Sequence, residues 1–258
     1  LSRTAQHLAQ IAALSLQPTG KSTLVKMSTA SKWQIEPGKR LTTLNSVDAR
    51  QELIRVGVLK AESGLGNQIS PEFIGVAVHD ALRTEMFEAI ATAVQKVRPS
   101  SPTYYWTRDS DVLLERDMRI AFYRNDAATF TRLAQHADSY PPVLDPYDAK
   151  LFNNLNPTLQ EIWIRSNAVS IAQTGVGSPA ALEILPPFAA AQKELTPELR
   201  EAWIDLCVAR GDVSELTTID DLTGGHFPEI RGCIETLQGN YDEADLLFEE
   251  RLKAIRKK

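Results

Sequence analysis

The chain has 258 residues, 43% of them hydrophobic and 24% charged, with 2 cysteines and a formal net charge of −5. This is the composition of a folded protein with a sizeable core, and it excludes a disordered or fibrous chain and a disulfide scaffold. No apolar stretch approaches the roughly 18 residues that a membrane helix needs. The net charge alone argues against a nucleic-acid binder, but it averages two unlike parts. Residues 1–100 hold 12 Lys and Arg against 8 Asp and Glu, a balance of +4, whereas residues 101–258 hold 16 against 25, a balance of −9. Within residues 1–60 the basic excess is steeper, 9 against 3.

The elements follow in chain order. Leu8, Ile11 and Ala12 recur at helical spacing over 4–16, and Pro18-Thr19-Gly20 stops that helix. A second short helix is expected over 22–32, with Leu24, Met27 and Trp33 as its apolar residues, and a turn at Pro37-Gly38-Lys39-Arg40. Asn45-Ser46 offers an N-cap for a third helix reaching Val56, and Gly57 its left-handed stop. The wheel places Val47, Ala49, Leu53, Ile54 and Val56 inward and Asp48, Gln51, Glu52 and Arg55 outward. Strands at 58–62 and 68–70 flank a hairpin tip at Ser63-Gly64-Leu65-Gly66-Asn67, and one helix is expected over 73–97.

Pro99-Ser100-Ser101-Pro102 marks the expected domain boundary, giving modules over 1–97 and 98–258. Beyond it one arrangement recurs, a helix ending in a small turn and a second amphipathic helix beginning at once. The turns are Arg124-Asn125-Asp126, Gln173-Thr174-Gly175, Arg210-Gly211-Asp212 and Gln238-Gly239-Asn240. Glycine or asparagine can end one helix in left-handed geometry while Asp or Asn caps the next, which is the chemistry of an αα-hairpin. The last helix carries the most regular apolar stripe, Tyr241, Ala244, Leu247, Phe248, Leu252 and Ile255. Pro141-Pro142 to Pro146, and Pro186-Pro187, are expected to be rigid connectors between hairpins. Tyr104-Tyr105-Trp106 is read as packing under the boundary, not as a platform for bases. The fold class expected is thus mainly α: a small head with three helices and a β-hairpin, followed by an irregular α-solenoid.

Little of this chemistry is catalytic. Gly20-Lys21-Ser22-Thr23 has the tail of a phosphate-binding loop, but the first glycine of that motif would fall at Ser15 and the preceding residues read as helix, not strand. His7, His79, His136 and His226 are scattered, and Cys207 and Cys233 lie in apolar helical contexts, as small buried hydrophobes do in a reducing cytoplasm. No metal, cofactor or catalytic residue is expected. Leu1, with no initiator methionine, and Arg256-Lys257-Lys258, still within a helical pattern, are expected to be the ends of a fragment.

The order helix, helix, helix, strand, Gly-rich tip, strand resembles a winged helix-turn-helix, with Glu52 to Lys60 and Gly64 to Ser70 as the segment from recognition helix to wing. The resemblance implies a third helix in the major groove and a wing on phosphates. Asp48 and Glu52 on the outward face oppose base reading, so the expectation is non-specific contact with double-stranded DNA from Lys39, Arg40, Thr42, Thr43, Arg50, Lys60 and Asn67. Gly239-Asn240-Tyr241-Asp242-Glu243-Ala244 with Leu247-Phe248 looks like a tetratricopeptide turn and second helix, implying a surface that docks protein.

The helix Asp117-Met118-Arg119-Ile120-Ala121-Phe122-Tyr123-Arg124-Asn125-Asp126 and the closing Asn240 to Lys258 also resemble the helical N-terminal region of large bacterial Swi/Snf-family helicase-like ATPases. That resemblance implies a non-catalytic cytoplasmic region whose motor lies elsewhere. Two rivals stand beside it: a scaffold or adaptor whose acidic solenoid binds a basic protein while the head is a structural cap, and a transcription regulator with a solenoid sensor domain.

Overall fold

The computed structural model describes residues 1–62, 66–100, 108–137, 140–192 and 194–256. Of the expected hairpin tip, Ser63-Gly64-Leu65 lies outside these, as does the Tyr104-Tyr105-Trp106 segment, whereas Gly66 and Asn67 belong to the returning strand. The protein is mainly helical, with 14 helices and two small antiparallel sheets among the described residues. None of those helices is long and apolar enough to cross a membrane. The chain divides into two compact units, Leu1–Asn156 and Pro157–Lys258, so that Pro99 and Ser100 lie inside the first.

The first unit is built around α1 (Arg3–Ser15). Ala5, Ala9, Ala12 and Ala13 keep this helix slim, so neighbours approach from several sides and Leu8, Ile11 and Leu14 are fully buried. Ser2 caps it, its hydroxyl accepting the Ala5 N–H at 3.2 Å. Then come α2 (Lys21–Ala30), β1 (Gln34–Glu36), β2 (Lys39–Arg40), α3 (Ser46–Arg55), β3 (Leu59–Glu62) and β4 (Gly66–Ile69). The unit closes with α4 (Pro71–Arg83), α5 (Phe87–Val97), α6 (Arg108–Tyr123), α7 (Ala127–Ala134) and α8 (Ala149–Asn153). One apolar cluster takes in residues from α1 to α5 and Ile120 of α6. Tyr123 of α6 packs on that cluster, and burial pushes its phenol up to about 12 while its oxygen accepts the Leu144 N–H at 2.9 Å.

Three local expectations are corrected here. The turn at Pro37–Arg40 is the tip and returning strand of a hairpin in which Gln34 pairs with Arg40, and strands of three and two residues are too short to leave a period in the sequence. The single helix over 73–97 is two, because Glu85 adopts a left-handed φ of 59° and the Met86 N–H turns back to the Ala81 carbonyl at 2.9 Å. On α3, Ala49 and Leu53 face the core as expected and Ser46 joins them, but Ile54 (39% exposed) and the C-cap Val56 (50%) do not.

His7 is buried on α1 and stacks on Trp33, with ring centroids 4.4 Å apart. Burial, more than any charge, lowers its pKa from 6.5 to about 4. Above pH 6.5 it is neutral folded or unfolded and contributes no pH dependence. Between 6.5 and 4 only the unfolded chain takes up the proton, so stability falls as pH falls, by roughly 1.4 kcal/mol per pH unit, and then levels off. Urea unfolding of the first unit at pH 7, 5.5 and 4 should show this acid limb, and His7→Phe should flatten it.

The second unit comprises α9 (Pro157–Thr174), α10 (Ala180–Ala190), α11 (Pro197–Arg210), α12 (Val213–Leu222), α13 (Pro228–Gln238) and α14 (Tyr241–Arg256). Neighbours in sequence pack on one another from α11 through α14, and α9 packs on both α10 and α11. The expected left-handed residues are present at all four turns, but α10 starts five residues after Gly175 with no side-chain cap. Asn125, Gly175, Gly211 and Gly239 all have positive φ. The Asp126 and Asp212 side chains accept the Thr129 and Glu215 N–H groups at 3.0 and 3.1 Å, capping α7 and α12.

Two expectations fail in this unit. Pro186 and Pro187 lie inside α10, not between hairpins; the fixed φ of proline is itself helical, so the chain keeps its helical path there although two N–H donors are missing from the ladder. The stripe on α14 is mostly uncovered: only Ala244 is buried, Leu247 and Phe248 are half-buried, and Tyr241, Leu252 and Ile255 are exposed. Phe248 lies over Gly232 of α13, which has no side chain to obstruct it.

Candidate nucleic-acid interface

The seven residues expected to meet DNA fall into two groups. Lys39 and Arg40 form β2 and are exposed, the Lys39 ammonium lying 3.7 Å from Glu36 along the hairpin. Thr42 and Thr43 are exposed in the approach to α3, where the Thr42 hydroxyl accepts the Asn45 N–H at 3.2 Å and the Thr43 carbonyl accepts the Ser46 hydroxyl at 2.8 Å. Lys60 is exposed on β3, which belongs to a separate sheet from β2.

Arg50 and Asn67 face the other way and meet each other. The Arg50 guanidinium, half-buried on α3, donates to the Asn67 side-chain carbonyl. Asn67 is only 3% exposed, and its main chain exchanges hydrogen bonds with Thr19 at 2.8 and 3.1 Å. Gly66 allows this close approach, because a Cβ there would stand 2.6 Å from the Thr19 carbonyl carbon. The pair therefore braces β4 against α3 and the turn between α1 and α2.

The acids of this region are less available than a helical wheel suggests. Glu52 is half-buried and accepts the Ser2 N–H at 2.7 Å, which holds its carboxyl below the usual range. Glu36 is beside Lys39, leaving Asp48 as the exposed acid of α3. The exposed bases extend beyond those singled out by spacing: Arg3, Lys21, Lys26, Lys32 and Arg55 also face solvent. Arg3, Lys21, Lys26 and Lys32 fall outside the segment from third helix to wing and carried no signal but exposure, whereas Arg55 lies on α3 and the helical wheel already placed it outward. Lys21 is the first residue of α2, after Gly20 as N-cap, and the segment leading into that turn is helix α1, not the strand a phosphate-binding loop requires. Leu44 (82% exposed), Ile54 and Val56 place apolar surface at both ends of α3.

Elsewhere, Cys207 is buried and Cys233 half-buried, and burial raises the pKa of both thiols, as inert packing cysteines require. Together these features define, among the described residues, a mainly α protein with two small antiparallel sheets and an exposed basic surface on the first 60 residues. Comparison with protein-family models, curated proteins and solved structures finds no match to the chain.

Proposed function

We propose that the first unit contains a winged-helix-like module that contacts the phosphates of duplex DNA without reading sequence, and that the second, solenoid-like unit docks a protein partner. The carrying observation is that every Lys and Arg among the first 60 residues except Arg50 is exposed, while two of the three acids are engaged by Ser2 and Lys39. Multiple exposed cations with few free acids suit counterion-releasing phosphate contact, and α3 offers no free set of amide or guanidinium groups for purine edges beyond Gln51 and Arg55. The tie between Thr19 and Asn67 supports a hairpin held rigidly against the three helices. Service within a larger helicase-like ATPase is supported by the resemblance of 117–126 and 240–258 alone.

Fluorescence anisotropy with a duplex oligonucleotide tests this. Binding at low salt should weaken with a log–log slope of about 0.9 per phosphate contact, equally for unrelated sequences. Lys39→Glu with Arg40→Glu should lower affinity and reduce the slope by about 1 for each contact removed. No binding at low salt would overturn the proposal. The adaptor reading is favoured by one observation, the exposed Leu44, Ile54 and Val56 beside the same helix. It would be preferred if the double charge reversal left the full protein's activity intact.

A further inference from the structure

Three arginines are largely buried on helices among the residues whose burial is described, and two of them have carboxylate partners. Arg116 lies 2.8 Å from Asp117 and donates to the Arg98 carbonyl at 2.7 Å, while Arg119 lies 3.0 Å from Glu115 and donates to the Pro142 carbonyl at 2.6 Å. Arg200, in the first turns of α11, is 9% exposed and differs. Among the described residues its guanidinium makes no hydrogen bond and no ion pair. Its charged head lies over the Phe227 ring, whose centroid is 3.6 Å from the guanidinium carbon. Its Nε is sealed from solvent without a partner. Nη1 and Nη2, side by side at the far edge, are not sealed in this way.

A guanidinium held by one face on an aromatic ring, with its stem buried, has given up most of its hydration and its rotamer freedom without gaining an anion. The free edge is the two-donor fork that matches a carboxylate. The surroundings limit which carboxylate. Glu194, Glu198 and Glu201 are exposed nearby in sequence, and residues 157–258 hold 17 Asp and Glu against 10 Lys and Arg. An acidic run would be repelled, whereas a single carboxylate flanked by cations would find the fork and the acidic surface together.

We infer that Arg200, backed by Phe227, is a recognition site for one carboxylate of a partner segment that is otherwise basic. The inference deepens the docking half of the proposed function and is independent of DNA binding, so failure of either test leaves the other standing. The probe is sodium acetate, titrated into the ¹⁵N-labelled full chain against sodium chloride at equal ionic strength, with the arginine Nε–H resonances observed. One such resonance should shift saturably with acetate and not with chloride, and Arg200→Gln should remove that response. Arg200→Lys, which keeps the charge and loses the fork, should weaken it at least several-fold, and circular dichroism of both variants keeps misfolding distinct from loss of the site. Three blocked peptides extend the test: Lys-Gly-Glu-Gly-Lys should act on the same resonance at lower concentration than Glu-Gly-Glu-Gly-Glu, and Lys-Gly-Gln-Gly-Lys should not act on it. Absence of a saturable response, an equal response to chloride or inorganic phosphate, or survival of the response in Arg200→Gln would each overturn the assignment.

Discussion

Replacing Gly75 by alanine is expected to destabilise the first unit by about 3 kcal/mol or more, the upper end of what overpacking costs. A Cβ at that position on α4 would stand 1.3 Å from the Asp145 carbonyl oxygen and 2.5 Å from its carbon. Ordinary relief of a tight contact is a rotamer change, and here both parties are backbone. Either α4 or the connection from Tyr140 to Asp148 must retreat, and α4 is held by buried Ala77, Val78 and Ala81. Urea denaturation should show a lowered midpoint, and a changed m-value if the connection detaches. Gly20→Ala is the control: its φ is negative, nothing lies within 4 Å of the added carbon, and the change should stay within about 1 kcal/mol. An unchanged midpoint in Gly75→Ala would mean that α4 and the connection do not approach as closely as described.

Trp203→Ala should cost the second unit about 3–5 kcal/mol, the range for deleting a large aromatic from a core. Trp203 is 0% exposed, on the face of α11 that also buries Leu199, Leu206 and Cys207. Its indole N–H donates to Glu215 at 2.9 Å, and the Cys207 thiol reaches the same carboxylate oxygen at 3.5 Å. Truncation thus opens a cavity and strips a half-buried carboxylate of its stronger donor. Trp203→Phe separates the two: it restores most of the volume, so its remaining cost, about 1–3 kcal/mol, reports the lost hydrogen bond. A Trp203→Phe variant as unstable as Trp203→Ala would show that the carboxylate contact, and not packing, dominates.

The turns at Asn125-Asp126, Gly211-Asp212 and Gly239-Asn240 were legible because left-handed geometry and capping each demand particular residue types. The break at Glu85 was not, because a glutamate with positive φ announces nothing; surrounding packing holds it there. Amphipathic spacing located α3 and its Ala49–Leu53 face but misplaced Ile54 and Val56, which are apolar and exposed, and did not reveal that Arg50 turns inward to Asn67. The same limit hid Arg200, which stands between Glu198 and Glu201 in sequence and reads as part of a solvated charged face until its burial against Phe227 is seen. Of the candidate interface, the basic excess was legible by counting, and the engagement of Glu52 by the Ser2 N–H was not, because it joins segments distant in the chain.

The bridge between Thr19 and Asn67 has a kinetic consequence. A hairpin closed only by its own strands forms early and locally, on the microsecond scale of about 1–10 μs. Here β4 also pairs with the turn between α1 and α2, so its full set of bonds waits on closure of a long loop that contains α2, β1, β2 and α3. Protection of the Thr19 and Asn67 amides would then appear late and together, marking assembly of the whole first unit and not local strand propensity.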